Sequence, residues 1–253
     1  MSKVAVLSSG GIDSTTALSL AIKEHGKENV MTVTVMYGQK HCVEAAHAKQ
    51  IADYYGIRNE CLDLHQIFEK SNCALLQQST EKVPEGSYDE QIGKTDSGIV
   101  ATYVPGRNAL MLCAVASLAQ SIFGIEEEIE IYLGNHADDA AGNAYPDCSE
   151  EFSEAIARAI HVGSGNKVTV RTPFVSMNKS QVVAEGLKMH TPYWLTYSCY
   201  NGGLKSCGIY CATCIDRINA FRANKVIDPI DYLADVDWTG CHSIEYIEDS
   251  YHD

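Results

Sequence analysis

A short apolar run, Val4-Ala5-Val6-Leu7, breaks into Ser8-Ser9-Gly10-Gly11-Ile12-Asp13-Ser14-Thr15, and this string has the makings of a phosphate cradle. Two adjacent glycines let the backbone turn tightly and bring amide N–H groups against an anion. The helix that follows presents its unpaired amides and the positive end of its dipole. Hydroxyls of Ser8, Ser9, Ser14 and Thr15 supply further donors. No lysine follows the glycines and the four-residue spacer is absent, which separates the string from the GxxxxGK[ST] nucleotide loop. The competing reading is a plain strand-to-helix turn in which Asp13 or Ser14 serves as N-cap.

A second cluster lies near the other end. Cys199, Cys207, Cys211 and Cys214 form a C-x7-C-x3-C-x2-C series within sixteen residues, with Gly202, Gly203 and Gly208 among them. Four thiolates satisfy tetrahedral Zn²⁺, and glycine turns let the sulfurs converge. With all four positions filled no site is left for a substrate, so the ion's task is to hold a C-terminal element in place. A redox pair at Cys211 and Cys214, or unlinked thiols, are the alternatives.

Other polar groups are weaker signals taken singly. Tyr37-Gly38-Gln39-Lys40-His41 follows an apolar run; Gln39 can read a ring edge and Lys40 a phosphate, while His41 reads more readily as a solvated loop residue. Val104-Pro105-Gly106-Arg107-Asn108 precedes an apolar helix and puts Arg107 at its positive end, where a guanidinium neutralises phosphate with a bidentate geometry. Asn108 there can also be a simple cap. Lys179, just inside a helix started by Asn178, is a similar phosphate candidate. Gly134-Asn135-His136-Ala137-Asp138-Asp139 ends another apolar run, and Tyr145-Pro146-Asp147-Cys148 opens a helix. A carboxylate in this region suits Mg²⁺ or a guanine-like edge, and Asp147 can equally be only a cap.

The elements that must position these groups read as alternating strands and helices. Strands are expected at 3–8, 30–37, 59–64, 130–133 and 167–171. Helices are expected at 14–25, 43–55, 109–123, 146–160 and 178–189, with Ala17, Leu18, Ala21 and Ile22 on one face of the first. This β-α-β order implies right-handed crossovers and an α/β doubly wound parallel sheet. The polar stretch 79–98 has no apolar periodicity and suits a lid or an ordered surface loop. Residues 1–192 form the expected α/β domain that carries the phosphate loop, and 193–253 the zinc-bearing element packed on it.

At 253 residues and 45% hydrophobic content the chain can bury a full core. A net charge of -14 and a pI near 5.0 disfavour broad phosphate-driven nucleic-acid binding. The N-terminal apolar run is too short for a signal peptide and no stretch reaches the length of a membrane span. Ten cysteines in such a chain point to reduced thiols and a cytoplasmic location.

Together these motifs resemble the 7-cyano-7-deazaguanine synthase family of the pyrophosphatase-loop ATP superfamily. The resemblance is carried by SGGIDSTT at Ser9 to Thr16, YGQKH at Tyr37 to His41, VPGRN at Val104 to Asn108 and YPDC at Tyr145 to Cys148. It continues through Pro173 to Lys179, SCYNG at Ser198 to Gly202, the cysteine cluster, and Asp228-Pro229. It implies a Rossmann-like fold of the adenine nucleotide alpha hydrolase type. It also implies ATP-dependent conversion of 7-carboxy-7-deazaguanine and ammonia to the nitrile through an acyl-adenylate and an amide, in queuosine or related 7-deazapurine biosynthesis. The expected ATP-binding residues are Leu7, Ser8, Ser9, Gly10, Gly11, Asp13, Ser14, Thr15, Tyr37 and Gln39. Catalytic roles fall to Arg107, Lys179 and Asp13, and substrate contacts to Asn108, Asn135, Tyr145 and Asp147. Mg²⁺ accompanies ATP, the zinc is structural, and a homodimer is expected.

Two departures stand out. The family's usual cysteine spacing is C-x8-C-x2-C-x2-C. The segment DDAAGNAYPDC is longer and less aromatic than the family's lead-in, with Ser149 where an Arg is usual. The nearest alternative is therefore a synthase that stops at 7-amido-7-deazaguanine, which would feed DNA modification. More distant alternatives are a tRNA-thiolation-type enzyme and a non-catalytic nucleotide-binding protein.

Overall fold

The structure is a computed structural model describing residues 2–40 and 43–245; His41 and the last eight residues of the C-terminal element lie outside the described residues. Five parallel strands form one sheet: β1 (Lys3–Leu7), β2 (Val30–Met36), β3 (Arg58–Asp63), β4 (Ile129–Tyr132) and β5 (Val168–Arg171). Their order is β3-β2-β1-β4-β5. Val4 lies opposite Val30 on one side of β1 and opposite Glu130 on the other. The chain therefore winds outward from β1 in both directions, and the carboxyl ends of β1 and β4 flank the crevice where doubly wound sheets bind ligands.

Alternating residues of β1 feed two cores, as a strand covered on both faces requires. Val4 and Val6 pack with α1 (Ile12–His25) and α2 (Val43–Tyr55) through Leu18, Ala21, Ile51 and Tyr55. Ala5 points the other way, toward Leu112 and Val115, which pack with Val33 and Val35. Short helices α3 (His65–Phe68) and α4 (Tyr88–Ile92) precede α5 (Arg107–Phe123), which carries Leu112 and Val115. After β4 come the single turn α6 (Ala137–Ala140) and then α7 (Glu150–Gly163), whose Ile160 joins the α5 face. Beyond β5, α8 (Lys179–Lys188) returns to the opposite face, where Val182 joins the α1 core.

The C-terminal element centres on α9 (Ala212–Ala223), whose Phe221 meets Ile12 of α1 and Val183 of α8. At its heart Arg217 is fully buried, and its five N–H donors are all used. Nε and one Nη bond Asp228 at 2.6 and 2.8 Å; the remaining three reach Thr196 Oγ1, Ser198 Oγ and the Tyr193 carbonyl. A buried guanidinium is tolerable only with such complete pairing.

Boundaries differ from the sequence expectation in instructive ways. α1 begins at Ile12 with Gly11 in the N-cap position, so neither Asp13 nor Ser14 is its cap. The helix expected from Pro146 starts as a 3-10 turn, and the α-helix proper is capped by Ser149, whose Oγ accepts the Phe152 N–H. α4, α6 and α9 lack the long apolar period that marks a helix in sequence. Among the described residues no helix is long and apolar enough to cross a membrane.

Candidate active site

The loop after β1 runs along the floor of a pocket that opens at the carboxyl edge of the sheet. Gly10 adopts φ +82°, and a side chain there would collide with the backbone of Glu44, so glycine is required by conformation and by space. Gly134, after β4, is required by space alone: a Cβ would come within 2.7 Å of the Asp13 carbonyl. The two strand ends are thus pressed together around the start of α1.

Leu7, Ser8, Ser9, Gly11, Asp13 and Ser14 line the pocket from this loop, joined by Tyr37, Gln39, Arg107, Asn108, Asn135, Tyr145 and Lys179. Together they line an open cleft along the carboxyl ends of β1, β2 and β4. Gly10, Thr15 and Asp147 do not line it. The Thr15 hydroxyl turns back to the Gly11 carbonyl at 2.7 Å.

Two cations reach the pocket from opposite faces of the sheet. Lys179, at the first turn of α8, bonds Asp13 Oδ2 and lies 3.3 Å from His136 Nε2. Asn178 caps that helix in a reciprocal capping box with Gln181, and the Lys179 backbone N–H is held by Asp138. Burial raises the pKa of Asp13, but Lys179 and His136 outweigh it and hold the carboxyl below its ordinary range. Ser8 Oγ, Asp13 Oδ1 and His136 Nδ1 are buried there without a protein partner, as expected of groups awaiting a polar ligand.

Arg107 enters from the α5 side, its guanidinium carbon 5.2 Å from the Tyr37 ring centre and one Nη donating to Tyr37 Oη at 3.4 Å. Behind it Asp147 Oδ2 accepts the Asn108 backbone N–H at 3.1 Å, while Asn108 Nδ2 donates to the Asp147 carbonyl and Cys148 Sγ. Asp147 therefore does cap a helix, but one forty residues earlier in the chain, and Asn108 is its latch. On the same wall Tyr145 Oη meets Thr102 Oγ1 at 2.6 Å and Tyr88 Oη at 3.3 Å. Asn135 Nδ2 is spent on the Cys148 carbonyl and Ser153, leaving its buried Oδ1 without a partner.

The pocket also recruits residues that carry no motif. Burial pushes Glu44 up to about 7, against the pull of Arg107; Tyr88 also lines the pocket, beside His136, Asp139 and Tyr200 from the motifs above. Tyr88 stands at the first turn of α4, which a Ser87–Glu90 capping box starts. That S-x-x-E spacing is the one sequence signal that marks it. Segment 79–98 is tied down on two sides: Gly86 N–H bonds the Tyr210 carbonyl, and Asn143 Nδ2 bonds the Ser97 carbonyl. The unusual lead-in before Tyr145 thus docks on the polar stretch, with Gly142 packed against Ile92.

The four cysteine sulfurs lie within 4.8 Å of one another and all four residues are buried. Contacts of 3.4 Å between Cys207 and Cys211 and 3.9 Å between Cys199 and Cys211 approach the sulfur–sulfur edge of about 3.8 Å in a Zn–S₄ tetrahedron. The altered spacing leaves the convergence intact.

Over residues 3–225 the chain matches the family model described as queuosine biosynthesis protein QueC. The chain belongs to this family. Curated relatives include the 7-cyano-7-deazaguanine synthase of Caldicellulosiruptor saccharolyticus, 37% identical over 93% of this chain and 98% of that one. The enzyme of the same name from Archaeoglobus fulgidus is 36% identical over 93% and 92%. Among solved structures, an NH3-dependent NAD synthetase from Campylobacter jejuni aligns at TM-score 0.45 and 13% identity, covering 78% of this chain and 69% of that one. Family membership rests on the family model and these relatives, and the model's match over residues 3–225 spans both the loop after β1 and the cysteine cluster.

Proposed function

We propose that this chain is an ATP-dependent ligase that converts 7-carboxy-7-deazaguanine and ammonia to 7-cyano-7-deazaguanine. The observation that carries the reading is one pocket that joins a phosphate loop to a second wall lined by Tyr88, Asn135, Tyr145 and Tyr200. The unpartnered Asn135 Oδ1 suits an N–H of a guanine-like edge, and the tyrosine rings suit its faces.

A carboxylate resists attack by ammonia until one oxygen becomes part of a good leaving group. A substrate oxygen attacks the α-phosphorus of ATP, the bond to the β-phosphate oxygen breaks, and its electrons leave with pyrophosphate. Ammonia then adds to the acyl carbon and loses a proton, and AMP departs with the carbon–oxygen electrons to leave the amide. A second adenylation, on the amide oxygen, lets nitrogen lose its two protons and AMP leave, forming the nitrile. The loop amides, Ser8, Ser9 and Ser14 hold phosphates; Lys179, positioned by Asp13, stabilises the departing pyrophosphate. Bound nucleotide and base filling the pocket would keep water from the acyl-adenylate.

Among the described residues only the cysteines form a preassembled metal-ligand group. The four thiolates fit zinc, which would brace the C-terminal element. Mg²⁺ would arrive held largely by phosphate oxygens and water, as is usual for that ion, and would offset their charge.

Incubation with ATP, ammonia and the carboxy base, followed by mass identification of the product, tests the reading. Nitrile with two AMP per base is expected. Amide with one AMP would favour an amide-forming synthase, the reading to which the altered 139–149 segment points, and no conversion would overturn both.

A further inference from the structure

Arg217 and Arg107 are in opposite states. Arg217 has used all five of its donors inside the protein. The guanidinium of Arg107, part-buried in the pocket wall, makes among the described residues one hydrogen bond, to Tyr37 Oη, and has no carboxylate of those residues within ion-pair distance. Four N–H donors of this guanidinium are left over in a residue that lines the open pocket. They are free for an anion entering it, and the planar fork is shaped for two oxygens at once.

Which anion completes it follows from where the helices lie. The phosphate loop runs into α1, and Lys179 comes from α8, whose Val182 shares the α1 core. Arg107 comes from α5, on the other face of the sheet; its neighbours are Tyr37, which stacks under it, then Tyr200, Asp147 and Tyr145, and Tyr145 and Tyr200 belong to the second wall. One cation thus attends the phosphate loop, and the other attends the proposed base.

Resting on the function proposed above, we infer that Arg107 is the receptor for the carboxylate of the base and so selects the acid over its uncharged amide. The N–H fork of Arg107 grips the carboxylate, and the free lone pair of one oxygen faces the nucleotide. After the first amidation the substrate is neutral and no longer needs that grip, so one residue distinguishes the two halves of the reaction.

The test uses the zinc-loaded wild type with R107M and R107K, each assayed with the carboxy base and with the amide as starting substrate, at saturating ammonia. KM for the acid is expected to rise about 10- to 100-fold in R107M. KM for ATP and KM for the amide should stay within about threefold. R107K, with charge but no fork, should fall between on the acid alone. Equal losses on acid and amide, or a rise in KM for ATP instead, would overturn the inference and leave the proposed function standing. Should R107M fail to retain zinc or a cooperative melt, the acid-to-amide ratio of R107K decides by the same criterion. Failure of the wild type to convert either base would sink the function itself.

Discussion

The backbone N–H of Tyr197 donates to the carbonyl of Gly10 at 2.8 Å, two residues before the first cysteine of the cluster. The phosphate loop and the four-cysteine element are therefore stitched together by the main chain. His47 of α2 reinforces the join, its ring stacked 5.3 Å from Tyr197 and its Nδ1 against the Leu195 carbonyl.

Loss of the metal proposed for the four cysteines should on this account be felt at the loop proposed to bind ATP. C214S, or chelation of the wild type, is expected to lower the thermal midpoint by several degrees, at about 2–4 °C per kcal/mol for a chain of this size. The affinity for a fluorescent ATP analogue should fall with the metal content. A chelated protein that binds the analogue with undiminished affinity would show that the join does not matter.

The Arg217–Asp228 pair makes a sharper claim, because both side chains are fully buried. D228A leaves a guanidinium without its main partner and should cost about 3–5 kcal/mol. The double variant R217M/D228A removes the stranded charge and should be more stable than D228A. Denaturant midpoints of the three proteins decide it.

Asp13 and Lys179 give a pH signature. With its folded pKa below the ordinary 3.8, Asp13 contributes stability above that value, lost as pH falls through the folded pKa. In K179M burial remains while the main counter-charge is gone, so the carboxyl titrates higher. The variant's deficit, about 1–3 kcal/mol, should be greatest near neutral pH and shrink on acidification. Its size relative to wild type, read from urea midpoints at successive pH values, would be constant if the pair were unimportant.

Asp147 acts through the start of α5. D147N removes a charge from the positive end of that helix and should cost about 1 kcal/mol, while moving KM for the base less than N135A does. The reverse order would put Asp147 in contact with the base.

Much of this was legible from local pattern. The strand–glycine–helix signature at residues 4–18, the apolar period of α5 and the Asn178 cap each depend on near neighbours, and each is found where the residues indicate. Tyr88 and Arg217 were not. α4 has too few residues for a period, and α9 hides an Arg among Cys214, Ile218 and Phe221 on its buried face. An arginine in that register signals a buried partner, but nothing local says that the partner is Asp228.

The spacing of glycines, hydroxyls and cysteines by itself determined that this chain builds a phosphate loop and a thiolate cage, because both are made by residues close in sequence under strict backbone geometry. Only the tertiary structure decided how the remaining polar groups divide. It sent Asp147 to the N-terminus of α5, turned Thr15 inward to Gly11, and set Lys179 and Arg107 on opposite faces of the sheet. Those outcomes depend on which helix crosses which face, and that is settled by burial of Val4 and Val6 on one side and Ala5 on the other, not by any property of the charged residues themselves.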